Sequence, residues 1–170
     1  MMPAVPELAT ARLRMRGWRP EDFDDFAAVF SDEQHCRYIG ASCTREEAWR
    51  RFAVTVGHWC LRGFGPWAVE RLDTGVFVGS VGLWMPERWP ELELGYWLSP
   101  GQLGHGFATE AAGAARDHAY RVLKRGRLVS FIHPDNLASQ GVAARLGAVI
   151  EDTTVLKGIP CQRWRHPEPD

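Results

Sequence analysis

The chain has 170 residues, 45% of them hydrophobic, and this length predicts one domain over residues 1–170 with a substantial core. Its 20 basic and 21 acidic residues give a net charge of -1 without a polybasic or acidic run, so we expect no nucleic-acid or membrane partner. No run approaches the roughly 20 apolar residues of a membrane span, and the start M-M-P-A-V-P-E-L lacks a signal-peptide pattern, so we expect a cytoplasmic protein.

The first third of the chain predicts one strand and two helices. Residues 12–18 alternate polar and apolar side chains, which is typical of a strand with one wet face. Pro20 then precedes an acidic first turn and an apolar stripe at helical spacing, and Thr44 with Glu47 forms a capping-box pair that begins a second helix. We expect the second helix to bury a face formed by Trp49, Phe52, Val56 and Trp59.

The rest of the chain predicts a strand meander followed by strands that alternate with helices. Extended runs at 66–71, 76–84 and 91–98 are separated by D-T-G and by a loop that contains two prolines. A glycine loop and its helix come next. The last elements are a strand, a helix and two strands, at residues 127–132, 137–146, 149–155 and 159–166. This order predicts a mixed α/β fold.

The glycine loop is the strongest functional signal. Residues 99–115 read S-P-G-Q-L-G-H-G-F-A-T-E-A-A-G-A-A, and the unpaired N–H groups of a helix start make such a loop an anion site. A P-loop requires lysine and a hydroxyl where Phe107 and Ala108 stand, and a dinucleotide fingerprint requires glycine where Thr109 stands. What remains is a pyrophosphate cradle without a metal partner, and coenzyme A carries such a pyrophosphate.

Four segments, E-L-E-L-G-Y-W-L-S-P, G-H-G-F-A-T-E-A, I-H-P-D-N-L-A-S and R-L-G-A, together resemble the GNAT superfamily of acetyl-CoA-dependent N-acetyltransferases, in its RimJ/RimL branch. The similarity extends from L-A-T-A-R-L-R-M-R to the closing Q-R-W-R-H-P. It implies a mixed, largely antiparallel twisted sheet of about seven strands, splayed between strands 4 and 5 and flanked by about four helices. It also implies acetyl-CoA as co-substrate and no metal.

The resemblance assigns the coenzyme to the splay and the loop. The acetyl-pantetheine arm is expected to bond to exposed backbone at Tyr96, Trp97 and Leu98, with the Leu98 N–H polarising the thioester carbonyl. The pyrophosphate is expected on Leu103, Gly104, His105, Gly106, Phe107, Ala108 and Thr109, although Leu103 stands where Gln or Arg is usual in the family. Asn136 is expected to bond to the pantetheine arm, or to serve as a plain helix N-cap, and Ser139 to lie near the sulfur.

Glu93 is the candidate general base. It lies on the strand that flanks the expected splay, on the same face as Glu91 and Trp97, and burial among aromatic residues would raise its pKa. The alternatives are an ordinary charged residue on a wet face and a base that acts through water. The tyrosine that serves many GNAT enzymes as general acid is replaced by Ala143, so Ser139 is expected to bond to the departing sulfur, unless the thiolate leaves unprotonated.

The acceptor is predicted only by class. Trp84, Trp89 and Trp97 fall near loops that would wall an acceptor pocket, with ordinary aromatic packing as the alternative. The branch implies a primary amine, either a protein N-terminal α-amine or a small-molecule amine. A catalytically silent acyl-CoA sensor is the competing interpretation, and an unrelated nucleotide-binding protein ranks below it. An exposed splayed sheet makes a homodimer an additional expectation.

Overall fold

The computed structural model describes residues 4–170 and contains one eight-stranded sheet in the order β1-β2-β3-β4-β5-β6-β8-β7. Every neighbouring pair is antiparallel except β5 and β6, which are parallel. The strands are β1 (Leu8–Ala9), β2 (Leu13–Arg16), β3 (Pro66–Arg71), β4 (Phe77–Trp84), β5 (Glu93–Leu98), β6 (Val129–Ile132), β7 (Val149–Leu156) and β8 (Ile159–Arg165). The prediction of a mixed, largely antiparallel sheet is confirmed.

Helices cover both faces of the sheet. They are α1 (Phe23–Ser31), α2 (Glu33–Cys36), α3 (Arg45–Arg62), α4 (Phe107–Asp117) and α5 (Leu137–Arg145), and α4 continues into a π-helical turn. Thr44 and Glu47 form the predicted capping box of α3, with Thr44 Oγ1 accepting from the Glu47 N–H at 3.2 Å. Within residues 4–170, no helix combines the length and apolar character needed to cross a membrane.

The structure differs from the prediction in three details. The sheet has an extra strand, because the two residues of β1 pair with β2, and α2 is an extra short helix. Trp49 is 58% exposed rather than part of the buried face of α3. The buried residues of α3 are Ala48, Phe52, Thr55, His58 and Trp59.

β5 separates two clusters of apolar side chains. Leu94 and Leu98 are buried in the large cluster that also holds Phe107 and Ala111 of α4. Trp97 lies on the opposite face and packs against the cluster formed by α1, α2 and α3. This alternation follows from the two-residue period of a strand and gives β5 one face towards α4 and one towards α1 to α3.

The predicted splay lies between β5 and β6, the fourth and fifth of the predicted strands. Their only pairing is Glu93 with Val129, supported by the bond from the Val129 N–H to Leu92 O at 3.1 Å. At the next residue of β6, Ser130 Oγ donates to Leu94 O at 2.6 Å, so a side-chain hydrogen bond takes the place of a main-chain hydrogen bond between the strands. Beyond this point the strands part. We call the space between residues 95–98 and residues 131–133 the gap.

Candidate active site

Alternate residues of β5 present their backbone to the gap. The Ser99 N–H donates to Val78 O at 2.9 Å, and Trp97 pairs with β4 in the same register. Because the groups of a strand point alternately to its two sides, the Trp97 N–H and C=O point to β4. The expectation that the Trp97 backbone lines the gap is therefore wrong. Tyr96 and Leu98 are the residues whose backbone groups face it.

The gap-facing groups are largely unpaired. Within residues 4–170, the N–H groups of Tyr96 and Leu98 have no hydrogen-bond partner, nor does Tyr96 O. Leu98 O accepts from His35 Nε2 at 2.7 Å. Buried backbone groups are nearly always paired, so an unpaired edge of this kind is typical of a binding edge. Its donors and acceptors match the amide groups of a pantetheine arm.

The glycine loop has a backbone geometry that suits an anion cradle, and we call residues 103–109 the cradle. Gly104 and Gly106 both adopt a φ of 78°, a left-handed conformation that glycine adopts without strain. Gly106 is the N-cap of α4 and offers no side chain, and the N–H groups of residues 104–109 have no partner in the described part of the chain. These donors lie at the positive end of the α4 dipole, which suits an anion such as a pyrophosphate.

Two arginines that sequence reasoning did not assign flank the cradle. Arg12 Nη1 donates to His105 O at 3.0 Å, and its guanidinium is neutralised by Glu110. Arg145 of α5 donates from Nη1 to Thr109 Oγ1 at 3.3 Å and forms no ion pair with any described carboxylate. Both are far from the loop in sequence, so the loop motif could not reveal them. Arg145 brings an uncompensated positive charge to an anion site.

The start of α5 lies against the gap. Asn136 is the N-cap, since its Oδ1 accepts from the Ser139 N–H at 3.2 Å. The Tyr96 hydroxyl donates to Ser139 O at 2.9 Å and so links β5 to α5 across the floor of the gap. The Ser139 hydroxyl forms no hydrogen bond with the described residues and is available to a ligand. Ala143 is fully buried against Ile132.

Glu93 lies at the closed end of the gap. Its Oε2 accepts from Trp89 Nε1 at 2.8 Å, and its Oε1 accepts from the Phe131 N–H at 3.4 Å. Burial raises the pKa of Glu93 to about 7, an effect that these two hydrogen bonds only partly offset. A carboxyl group with a pKa near neutrality can both take and release a proton at physiological pH, which suits a general base.

The three tryptophans predicted for the acceptor pocket have different surroundings. Trp89 donates to Glu93, as described above. Trp84, on β4, lies opposite Glu93 in the sheet, and its ring stacks on that of His58 with ring centres 4.8 Å apart. Trp97 is enclosed by other aromatic rings, among them Phe26 and Phe30, each with centres 5.5 Å away. A shallow cavity of about 450 Å³ lies elsewhere, on the helical layer, and contains no residue of the gap.

The segment around α2 crosses the open end of the gap. His35 reaches the end of β5 through its bond to Leu98 O, and the Tyr38 ring lies 5.1 Å from the ring of His133, just beyond β6. The sequence pattern gave no reason to place His35 at the site, because it lies 63 residues from Leu98 in the sequence. The described residues contain no cluster of three or more His, Cys, Asp or Glu side chains able to hold a metal ion.

Comparison with known proteins agrees with this geometry. Residues 12–149 match the acetyltransferase (GNAT) domain model. The uncharacterized protein YkkB of Bacillus subtilis is 30% identical over 98% of this chain and 94% of its own. An acetyltransferase from Agrobacterium tumefaciens is 28% identical, with a TM-score of 0.89 over 99% of this chain and 98% of that one.

RimL, a ribosomal L7/L12 alpha-N-protein acetyltransferase solved in complex with coenzyme A, shares the fold with a TM-score of 0.79 at 17% identity, over 96% of this chain and 98% of that one. GNAT enzymes use acetyl-CoA, and the gap and cradle have the donors that this molecule requires. The chain is a member of the GNAT acetyltransferase family.

Proposed function

We propose that the protein is an acetyl-CoA-dependent N-acetyltransferase in which a primary amine attacks the thioester directly. The observation that carries the proposal is the continuity of three features: the cradle at residues 103–109, the unpaired backbone of Tyr96 and Leu98, and Glu93 at the closed end of the gap. A long, thin ligand with a pyrophosphate at one end and a reactive group at the other fits this arrangement.

The coenzyme would be held mainly by backbone. The N–H groups of the cradle would bind the pyrophosphate with Arg145 beside it, and the gap-facing groups of Tyr96 and Leu98 would bond to the pantetheine amides. The Asn136 side-chain NH₂ donates to no described residue and is available to the same arm. When bound, acetyl-CoA supplies an acetyl group activated as a thioester, from which the coenzyme A thiolate leaves.

Glu93 would accept the proton of the attacking amine, directly or through one water. The donor to the thioester carbonyl was expected to be the Leu98 N–H, but the strand geometry favours the Tyr96 N–H. At a rise of about 3.3 Å per residue, Tyr96 lies roughly 10 Å from Glu93 along β5 and Leu98 roughly 16 Å. The nearer donor lets one amine contact both the base and the polarised carbonyl. The Ser139 hydroxyl is the group available to the departing sulfur.

The acceptor that we propose is the α-amine of a protein N-terminus. RimL, which shares the fold, is described as acting on ribosomal L7/L12, and the aromatic surroundings of Glu93 suit an uncharged amine. The test is acetyl transfer from acetyl-CoA to a panel of N-terminal peptides, polyamines, amino acids and aminoglycosides, followed by thiol release. Turnover with peptides supports the proposal. Tight binding of acetyl-CoA without turnover on any amine would favour the acyl-CoA sensor instead.

A further inference from the structure

The loop between β4 and β5 meets the tip of the β7–β8 hairpin beside Glu93. Trp89 Nε1 donates to Glu93 Oε2 at 2.8 Å, and Lys157 Nζ lies 5.1 Å from the centre of the Trp89 ring. Lys157 and Gly158, with φ of 48° and 81°, form the tight turn of the hairpin. The indole is therefore held between a carboxylate at its N–H edge and an ammonium over its face.

We propose that Trp89 is a positioning residue for Glu93: its N–H orients the carboxylate and favours the ionised form, and the hairpin tip with Lys157 holds the indole in place. This inference rests on the proposed function, since it takes Glu93 as the base. It gives Trp89 a role that differs from lining an acceptor pocket. It also connects the base to the tip of the β7–β8 hairpin.

The bond geometry supports this role. An indole N–H can only donate, so its bond to Oε2 stabilises the carboxylate relative to the carboxylic acid. The second bond, from the Phe131 N–H, is longer at 3.4 Å, so Trp89 supplies the stronger of the two. Without the indole, only the longer bond from the Phe131 N–H would counteract the rise in the Glu93 pKa that burial causes. The Glu93 carboxylate would also be free to rotate away from the gap.

Two ionisable neighbours of Glu93 carry no charge when it titrates. Tyr96 on its own strand and Cys161 on β8 both have pKa values raised by burial and by the charge of Glu93, so both stay neutral near pH 7. Trp84, opposite on β4, does not ionise. Lys157 is the cation on this side, and it acts through the Trp89 ring as a cation–π contact. The ionisation of Glu93 should therefore respond to the hydrogen bonds from Phe131 and Trp89, and only the Trp89 bond can be removed by changing a side chain.

The first test measures Glu93 itself in the protein without cofactor. The protein is labelled with carbon-13 glutamate, and NMR follows the chemical shift of the Glu93 carboxyl carbon as pH changes. The signal is assigned by its absence from the spectrum of Glu93→Gln. Trp89→Phe keeps the ring for Lys157 and removes the N–H, so we expect the pKa of Glu93 to rise by about one unit. Trp49→Phe, on the exposed face of α3, is the matched control and should leave the titration unchanged.

Lys157→Met provides a second, independent variant. It keeps the aliphatic stem but removes the charge over the indole, so the Glu93 titration should move upward by less than in Trp89→Phe. Lys124→Met is its control, because Lys124 and Lys157 are the lysines of the chain. If Trp89→Phe disturbs the loop, Lys157→Met carries the test without it.

The second test is the pH profile of kcat/KM for acetyl transfer. The rate should rise with pH through the Glu93 pKa, and Trp89→Phe should move that midpoint upward by the same amount with KM for acetyl-CoA unchanged. An unmoved Glu93 titration in both Trp89→Phe and Lys157→Met overturns the positioning role, whatever the activity. A moved titration with an unmoved rate profile supports the contact but contradicts Glu93 as the base, which is a failure of the proposed function.

Discussion

The cradle and the surroundings of Glu93 are built in different ways. The cradle consists of consecutive residues, 103–109, and its proposed function depends on backbone N–H groups that have no partner in the described part of the chain. The Glu93 carboxylate instead accepts hydrogen bonds from Trp89, in the loop before β5, and from Phe131, on β6. An anion site can therefore be a local property of sequence, whereas a tuned pKa is a property of the fold.

The largest expected effect comes from filling the cradle. Gly106→Trp places a side chain at a left-handed N-cap, so it should abolish acetyl-CoA binding, with a loss of at least about 100-fold in affinity. Calorimetric titration measures the effect, with ATP and NAD as control ligands. Gly126→Trp, at an exposed glycine with nothing near its Cβ, should bind normally. Normal binding by Gly106→Trp would contradict the cradle.

Removing the base should spare binding but slow the reaction. Glu93→Gln keeps the shape of the side chain and cannot accept a proton, so kcat should fall by roughly 10²- to 10³-fold while the acetyl-CoA Kd stays constant. The control is Glu91→Gln, two residues away on the same face, where the carboxylate pairs with Arg127 and Arg163. Steady-state kinetics decide the matter, and equal rates for Glu93→Gln and wild type would exclude Glu93 as the base.

A buried histidine near the closed end of the gap predicts acid sensitivity of the fold. His166 contacts Ser130 Oγ at 2.8 Å, and burial lowers its pKa from 6.5 to about 4. The folded state favours neutral His166, so the free energy of unfolding should decrease as pH falls from 6.5 to 4, by about 3 kcal/mol from this group.

Urea unfolding at a series of pH values checks this expectation. His166→Gln retains a donor for Ser130 and does not titrate, so its stability should fall less steeply over the same pH range. His58 and His118, whose pKa values burial also lowers, remain in both proteins and cancel in the comparison. Parallel curves for the two proteins would contradict the buried neutral histidine.

The smallest effect should come from the side-chain part of the cradle. Arg145→Gln removes an exposed, unpaired cation beside Thr109, so the Kd for acetyl-CoA should increase by about 3- to 10-fold, and the difference should shrink at high salt. Arg50→Gln, which loses only an exposed pair with Glu46 on α3, is the control. A loss as large as that of Gly106→Trp would mean that side-chain charge, not backbone, dominates pyrophosphate binding.

Much of the fold and part of the site could be predicted from the sequence. Strand alternation, the capping box at Thr44 and the glycine loop are local patterns, and all three appear in the structure. The sequence also placed Glu93 on a strand beside the splay. The single pairing of that strand with β6 then puts the carboxylate at the closed end of the gap.

The rest depended on contacts between distant segments. Trp97 was misplaced because strand alternation predicts side-chain faces but not which edge a backbone group points to. His35 and Arg145 lie far from the loop and the gap in sequence, and only the folded chain brings them to Leu98 and Thr109. The pKa of Glu93 likewise depends on burial in the folded chain and on Phe131, which lies 38 residues away in the sequence.

Hydrogen–deuterium exchange with and without acetyl-CoA tests the central claim most directly, because it observes the backbone groups that the claim concerns. We expect slower exchange in peptides that contain the N–H groups of residues 104–109 and of Tyr96 and Leu98. The same peptides should be unaffected in Gly106→Trp. Unchanged exchange at both the cradle and β5, under conditions where acetyl-CoA is bound, would contradict a backbone-built coenzyme site.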